Sequence, residues 1–96
     1  MILVCYDVST IDSEGRRRLR RVAKACLNRG QRVQNSIFEC DLDQAQWVAL
    51  KNKLLELANL EVDSLRFYYL GNQWKNRVEH VGAKPSIDLR NDPLVL

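Results

Sequence analysis

Residues 31–40 read QRVQNSIFEC, and the fold turns on whether they make one strand or two. Val33, Ile37 and Phe38 belong to types that suit pleated, extended backbone. A single bent strand satisfies the stretch. So do two short strands turning near Asn35–Ser36, where the residues are ones that form tight turns.

Working outward, residues 1–8 (MILVCYDV) read as a strand. Ile2, Val4, Tyr6 and Val8 share one face, and Leu3, Cys5 and Asp7 the other. A run apolar on both faces belongs inside a sheet. Residues 15–29 read as a helix, because Leu19, Val22, Ala23, Cys26 and Leu27 form one apolar stripe. Asp12 or Ser13 caps its start, Glu14 complements its dipole and Gly30 stops it. Asp43 caps a second helix over 44–59, with Trp47, Leu50, Leu54 and Ala58 inward and Val48 and Leu55 beside them. A strand over 61–70, a turn at 71–73, a short strand at 77–82 and an irregular tail from Pro85 follow. With two strands in 31–40, the order is β-α-β-β-α-β plus a short β tail. That is an α+β fold of ferredoxin-like arrangement, with both helices on one sheet face. The other face, carrying Leu3 and Cys5, is uncomfortable in water and calls for a partner, most simply a second copy.

The 96 residues are one domain's worth of chain, expected to span 1–84 with a tail at 85–96. Cys5, Cys26 and Cys40 are odd in number and make no C-x-x-C pair, so they read as buried free thiols of a reducing cytoplasm. MILVCY is too short for a signal peptide or a membrane span, so a membrane partner is not expected.

Net charge is +3, but residues 14–32 alone carry +7, which leaves −4 for the rest. Such asymmetry marks a basic patch for a polyanion. A solvated helix face explains the same run about as well until other features are weighed. Glycine-rich phosphate loops and the nucleophile-elbow motif are absent. The lone histidine, His80, reads as structural.

Carboxylates remain, and Asp7 is the odd one: it ends an apolar run, with no second acid until Asp12. A strand-end aspartate that caps backbone N–H groups is the common case. Symmetry supplies the functional reading. A two-fold dimer through the open sheet face brings two copies of Asp7 together, and two carboxylates repel. A divalent cation relieves that repulsion. Mg²⁺ takes oxygen ligands from one or two carboxylates, water and phosphate, and it can activate water against a phosphodiester. Arg16, Arg17 and Arg18 open the helix after the Asp7 loop, where phosphate contacts are expected. Tyr6, Phe38, Tyr68 and Tyr69 are able to stack bases, although core packing accounts for most of them.

Taken together, CYDV, RRVAKACLNRGQRVQNSIFEC and DSLRFYYLG resemble the CRISPR-associated Cas2 family over Met1 to about Asp92. VEHVGAKPSIDL resembles the members of one CRISPR subtype. The resemblance implies a ferredoxin-like homodimer with sheets face to face and the C-terminal segment joining the partner's sheet. It implies a metal-dependent nuclease on single-stranded RNA or duplex DNA, and a partner of the CRISPR integrase in spacer acquisition. It places the metal aspartate at Asp7 and the preceding aromatic at Tyr6. It matches the family's arginines to Arg21 and Arg32, and ties Ser36 and Phe38 to activity. The alternative it carries is a non-catalytic adaptor dimer that holds duplex DNA between integrase subunits. A toxin-type ribonuclease is similar at the level of fold only.

Overall fold

Residues 31–40 form two strands in this computed structural model, which describes residues 1–71 and 77–83. In chain order the elements are β1 (Ile2–Asp7), α1 (Ser13–Leu27), β2 (Gln31–Gln34), β3 (Ile37–Cys40), α2 (Gln44–Leu57), β4 (Ser64–Tyr69) and β5 (Arg77–Gly82). The sheet runs β2-β3-β1-β4-β5 with every neighbouring pair antiparallel. Its first six elements are β-α-β-β-α-β, as the two-strand reading requires, and β5 lies beyond β4. Most of the expected 71–73 turn and the whole 85–96 tail lie outside the described residues.

The β2–β3 turn is held from β1: Tyr6 N–H donates to the Ser36 carbonyl at 3.1 Å, and the Tyr6 hydroxyl to the Asn35 carbonyl at 3.3 Å. β2 itself is an edge strand, exposed at all four positions, and its pairing is irregular between Arg32 and Gln34.

Asp12 caps α1, its carboxylate accepting the Gly15 N–H at 2.8 Å, so the helix starts at Ser13, two residues before the sequence boundary. It ends at Leu27, with Asn28 N–H returning to the Lys24 carbonyl, and Leu27 is 51 % exposed where the apolar stripe predicted it inward. α2 opens with a capping box between Asp43 and Gln46 and buries Trp47, Leu50 and Leu54. Val48, next to Trp47 on the helix, points outward and is exposed. The core lies between the helices and the face of β1 that carries Ile2, Val4 and Tyr6, and it takes in Phe38, Leu65 and Phe67. The Trp47 ring meets Phe67 edge-on at 5.0 Å and Tyr69 at 5.8 Å.

β5 is tied to α2 by Glu79, which takes Lys51 Nζ at 2.6 Å and the Tyr69 hydroxyl at 2.7 Å. At its end Gly82 has φ 120°, and a Cβ there would collide with the Asp63 carbonyl oxygen. Gly82→Ala therefore combines left-handed strain with a backbone clash. It is expected to cost about 1–3 kcal/mol, read as a lowered urea midpoint at unchanged m. An unchanged midpoint would show that the turn relaxes freely.

Candidate functional site

Alternation along β1 sends Asp7 to the sheet face opposite the helices, together with Leu3 and Cys5. In the sheet register Asp7 lies opposite Ser64, and Cys5 opposite Arg66, whose other neighbour is His80. Cys5, Tyr6, Asp7, Ser64 and Arg66 line a cleft of about 120 Å³. Asp7 is exposed at its mouth, while Cys5 and Arg66 are half-buried.

Protonation states define what this cleft can bind. Burial pushes the Cys5 thiol up to about 11, against the opposing pull of the Arg66 charge, so it stays a thiol at neutral pH. Burial, and then the Arg66 charge, push His80 below its ordinary value, so it is neutral there. The oxygen donors are the Asp7 carboxylate and the Ser64 hydroxyl. Such a set suits a hard cation such as Mg²⁺ better than a thiophilic one. Among the described residues no three His, Cys, Asp or Glu side chains gather at one point. An ion at Asp7 would therefore complete its shell with water, phosphate oxygen or a second chain.

The basic residues of α1 are laid out as a stripe. Arg16, Arg17, Arg20, Arg21 and Lys24 are all exposed and recur at helical spacing, opposite buried Val22 and Cys26. Arg17 has only a 3.5 Å contact with exposed Glu14, a weak pair in water. The stripe lies on the outer side of the helix layer, so the structure does not bring it onto the sheet face that carries Asp7. Arg18 is engaged elsewhere: its Nε lies 2.9 Å from Asp63 Oδ2 and its Nη2 3.4 Å from Asp63 Oδ1. Arg32 sits over the Phe38 ring at 5.1 Å. Phe38 is fully buried, and Tyr6 stacks on it at 5.9 Å within the core. Ser36 stands in the β2–β3 turn. The Tyr6 and Phe38 rings thus pack in the core beside the end of β1, and the Ser36 carbonyl accepts the Tyr6 N–H.

Two residues matter here that the sequence reading did not single out. Arg66 is the cation that shares the cleft with Asp7. Its parity on the 61–70 strand was legible, but its place opposite Cys5 depends on the register. Asp63 is fully buried just before β4, which starts at Ser64 and not at 61 as predicted. Its parity with Leu65 and Phe67 pointed a carboxylate inward, a sign that partners had to exist. Leu3 also differs from expectation. It lies opposite Tyr68, and each is only 3 % exposed, so the sheet face presents Cys5, Arg66 and His80 rather than an open leucine.

The family model for the CRISPR associated protein Cas2 matches residues 1–78. A CRISPR-associated endoribonuclease Cas2 of Rhodospirillum rubrum is 59% identical over 96 residues, covering 100% of both chains. A CRISPR-associated endonuclease Cas2 of Halalkalibacterium halodurans is 58% identical over 95 residues, covering 99% of this chain and 98% of its own. The crystal structure of Streptococcus pyogenes Cas2 at pH 6.5 superposes with a TM-score of 0.68 at 51% identity, covering 73% of this chain and 84% of that one.

Proposed function

This chain belongs to the CRISPR-associated Cas2 family, and from that premise we propose that it is a Mg²⁺-dependent endonuclease of CRISPR spacer acquisition, working as a homodimer beside the CRISPR integrase in the cytoplasm. The observation that carries the chemistry is the exposed Asp7 carboxylate sharing a cleft with the Arg66 guanidinium. Asp7 and Ser64 are the residues that would hold the ion. A divalent cation bound there would lower the pKa of a coordinated water and neutralise charge on a phosphodiester. Arg66 draws the phosphate towards Asp7 and offsets its charge. The α1 stripe, with Arg16, Arg17 and Arg21, holds nucleic-acid backbone away from the cleft, and Arg32 extends that basic surface from β2. No helix among the described residues is long and apolar enough to cross a membrane. A second chain meeting the same sheet face would bring a second Asp7, and with it the further oxygen ligands that one cleft lacks.

The relatives at 59% and 58% identity differ in name between endoribonuclease and endonuclease, so both polymers belong in the assay. Single-stranded RNA and duplex DNA are incubated side by side with wild type, with wild type plus EDTA, and with Arg66→Ala. We expect Mg²⁺-dependent cleavage of at least one polymer, none with EDTA, and a loss of about 10–100-fold in kcat/KM for Arg66→Ala. Full activity of a folded Arg66→Ala variant would remove the cleft from the reaction.

One observation favours the adaptor reading. The cleft offers a single carboxylate, and the described residues hold no larger cluster of metal ligands. An adaptor needs the basic stripe and the dimer but not Asp7. If wild type cleaves neither polymer yet supports spacer acquisition, the adaptor reading replaces the nuclease.

A further inference from the structure

Asp63 is a fully buried carboxylate on which several chain segments converge. Oδ1 accepts the Ser9 N–H at 2.9 Å, and Oδ2 accepts the Asn59 N–H at 2.9 Å and Arg18 Nε at 2.9 Å. Its own carbonyl accepts the Ala83 N–H at 3.0 Å, and it immediately precedes Ser64, the register partner of Asp7. Burial alone disfavours its charge. The Arg18 guanidinium and the Asn59 and Ser9 N–H groups outweigh that and hold its carboxyl below the usual range. Every partner is a donor, so only the ionised form satisfies them all.

Ser9 is gripped from both sides. Its N–H is taken by Asp63, and its carbonyl presses against Gly15 so closely that a Cβ there would collide with it. The peptide two residues beyond Asp7 is thereby fixed to α1 and to the α2–β4 connection. A strand end continuing into a polar loop would otherwise fray.

We propose that Asp63 is a positioning residue: through the Ser9 N–H it holds the end of β1 so that the Asp7 carboxylate stands ready for a divalent cation. This rests on the reading of Asp7 as a metal ligand. Asp63 touches neither metal nor phosphate. Its contribution is preorganisation, and a ligand misplaced by about 1 Å loses much of its value.

The test uses Mn²⁺ as the probe and needs no turnover. Paramagnetic broadening of the Asp7, Val8 and Ser9 amide signals gives an apparent Mn²⁺ affinity for wild type, Asp63→Ala, Asp63→Asn and Leu54→Ala. Leu54 is fully buried in α2, so its truncation lowers stability without touching Ser9. Asp63→Asn keeps one acceptor oxygen and serves if Asp63→Ala does not fold. We expect Mn²⁺ affinity to fall about tenfold in Asp63→Ala, at the low end for supporting groups of metal sites, and by a smaller factor of about three in Asp63→Asn, which keeps one acceptor oxygen. Leu54→Ala should keep wild-type affinity despite a lower thermal midpoint. Ser9 amide exchange should quicken only in the Asp63 variants. Wild-type Mn²⁺ affinity in a folded Asp63 variant overturns the proposal, as does an equal loss in Leu54→Ala. Absence of broadening in wild type itself overturns the Asp7 reading, and this extension falls with it.

Discussion

Asp7→Asn is expected to lower Mg²⁺-dependent cleavage by about 10³-fold or more, while affinity for the same polymer without metal stays within about twofold. Asp7 is exposed, so the isosteric amide leaves the β1–β4 ladder and the core intact. What changes is the donor set. An amide oxygen is neutral and binds Mg²⁺ poorly, and the Cys5 thiol, held near 11, cannot replace it at neutral pH. Polymer affinity comes chiefly from positive side chains, which the substitution does not touch. The measurement is single-turnover cleavage beside filter binding. Equal cleavage by wild type and Asp7→Asn, in preparations free of contaminating nuclease, would leave Asp7 as a strand-end residue only. Spacer acquisition in cells by an Asp7→Asn variant that no longer cleaves would instead point to the adaptor.

Replacing Arg16, Arg17, Arg20 and Arg21 together by Gln should weaken nucleic-acid binding by about 10²–10³-fold at physiological salt. Each phosphate no longer neutralised reduces the slope of log K against log salt by about 0.7 on single strands and 0.9 on duplex. Removing all four charges would flatten that slope by roughly 3 on RNA and somewhat more on duplex DNA. The fold should survive, because Gln is nearly as good a helix former as Arg and the residues removed are exposed. Arg18 is left in place, since its bond to Asp63 makes it part of the frame. The salt series separates two outcomes. A flattened slope identifies the stripe as the phosphate surface. An unchanged slope identifies it as an ordinary solvated helix face.

Local chemistry was readable where a single residue decides it. Asp43 announced the second helix, and Val22 with Cys26 announced the inner face of the first. Leu27 and Val48 misled because hydropathy carries no information on where a helix ends or how wide its buried stripe is. The β2–β3 break depends on Tyr6, twenty-nine residues away in sequence, holding the Asn35 carbonyl. Asp7 stood out as a candidate because a charge ends an apolar run. Arg66 could not, because its position beside Asp7 follows from the antiparallel register of β1 and β4. Asp63 was hidden for a similar reason: its partners Ser9 and Arg18 lie about half the chain away.

The irregular outer margin at β2 has a consequence for behaviour at high concentration. A flat, regular border would template the strands of neighbouring molecules, the route to runaway polymerisation. Here the pairing slips at Val33, and Arg32 adds a charge at the lip. That irregularity works against fibre growth on that flank, and straightening it by deleting Val33 should raise light scattering at high protein concentration relative to the unaltered chain.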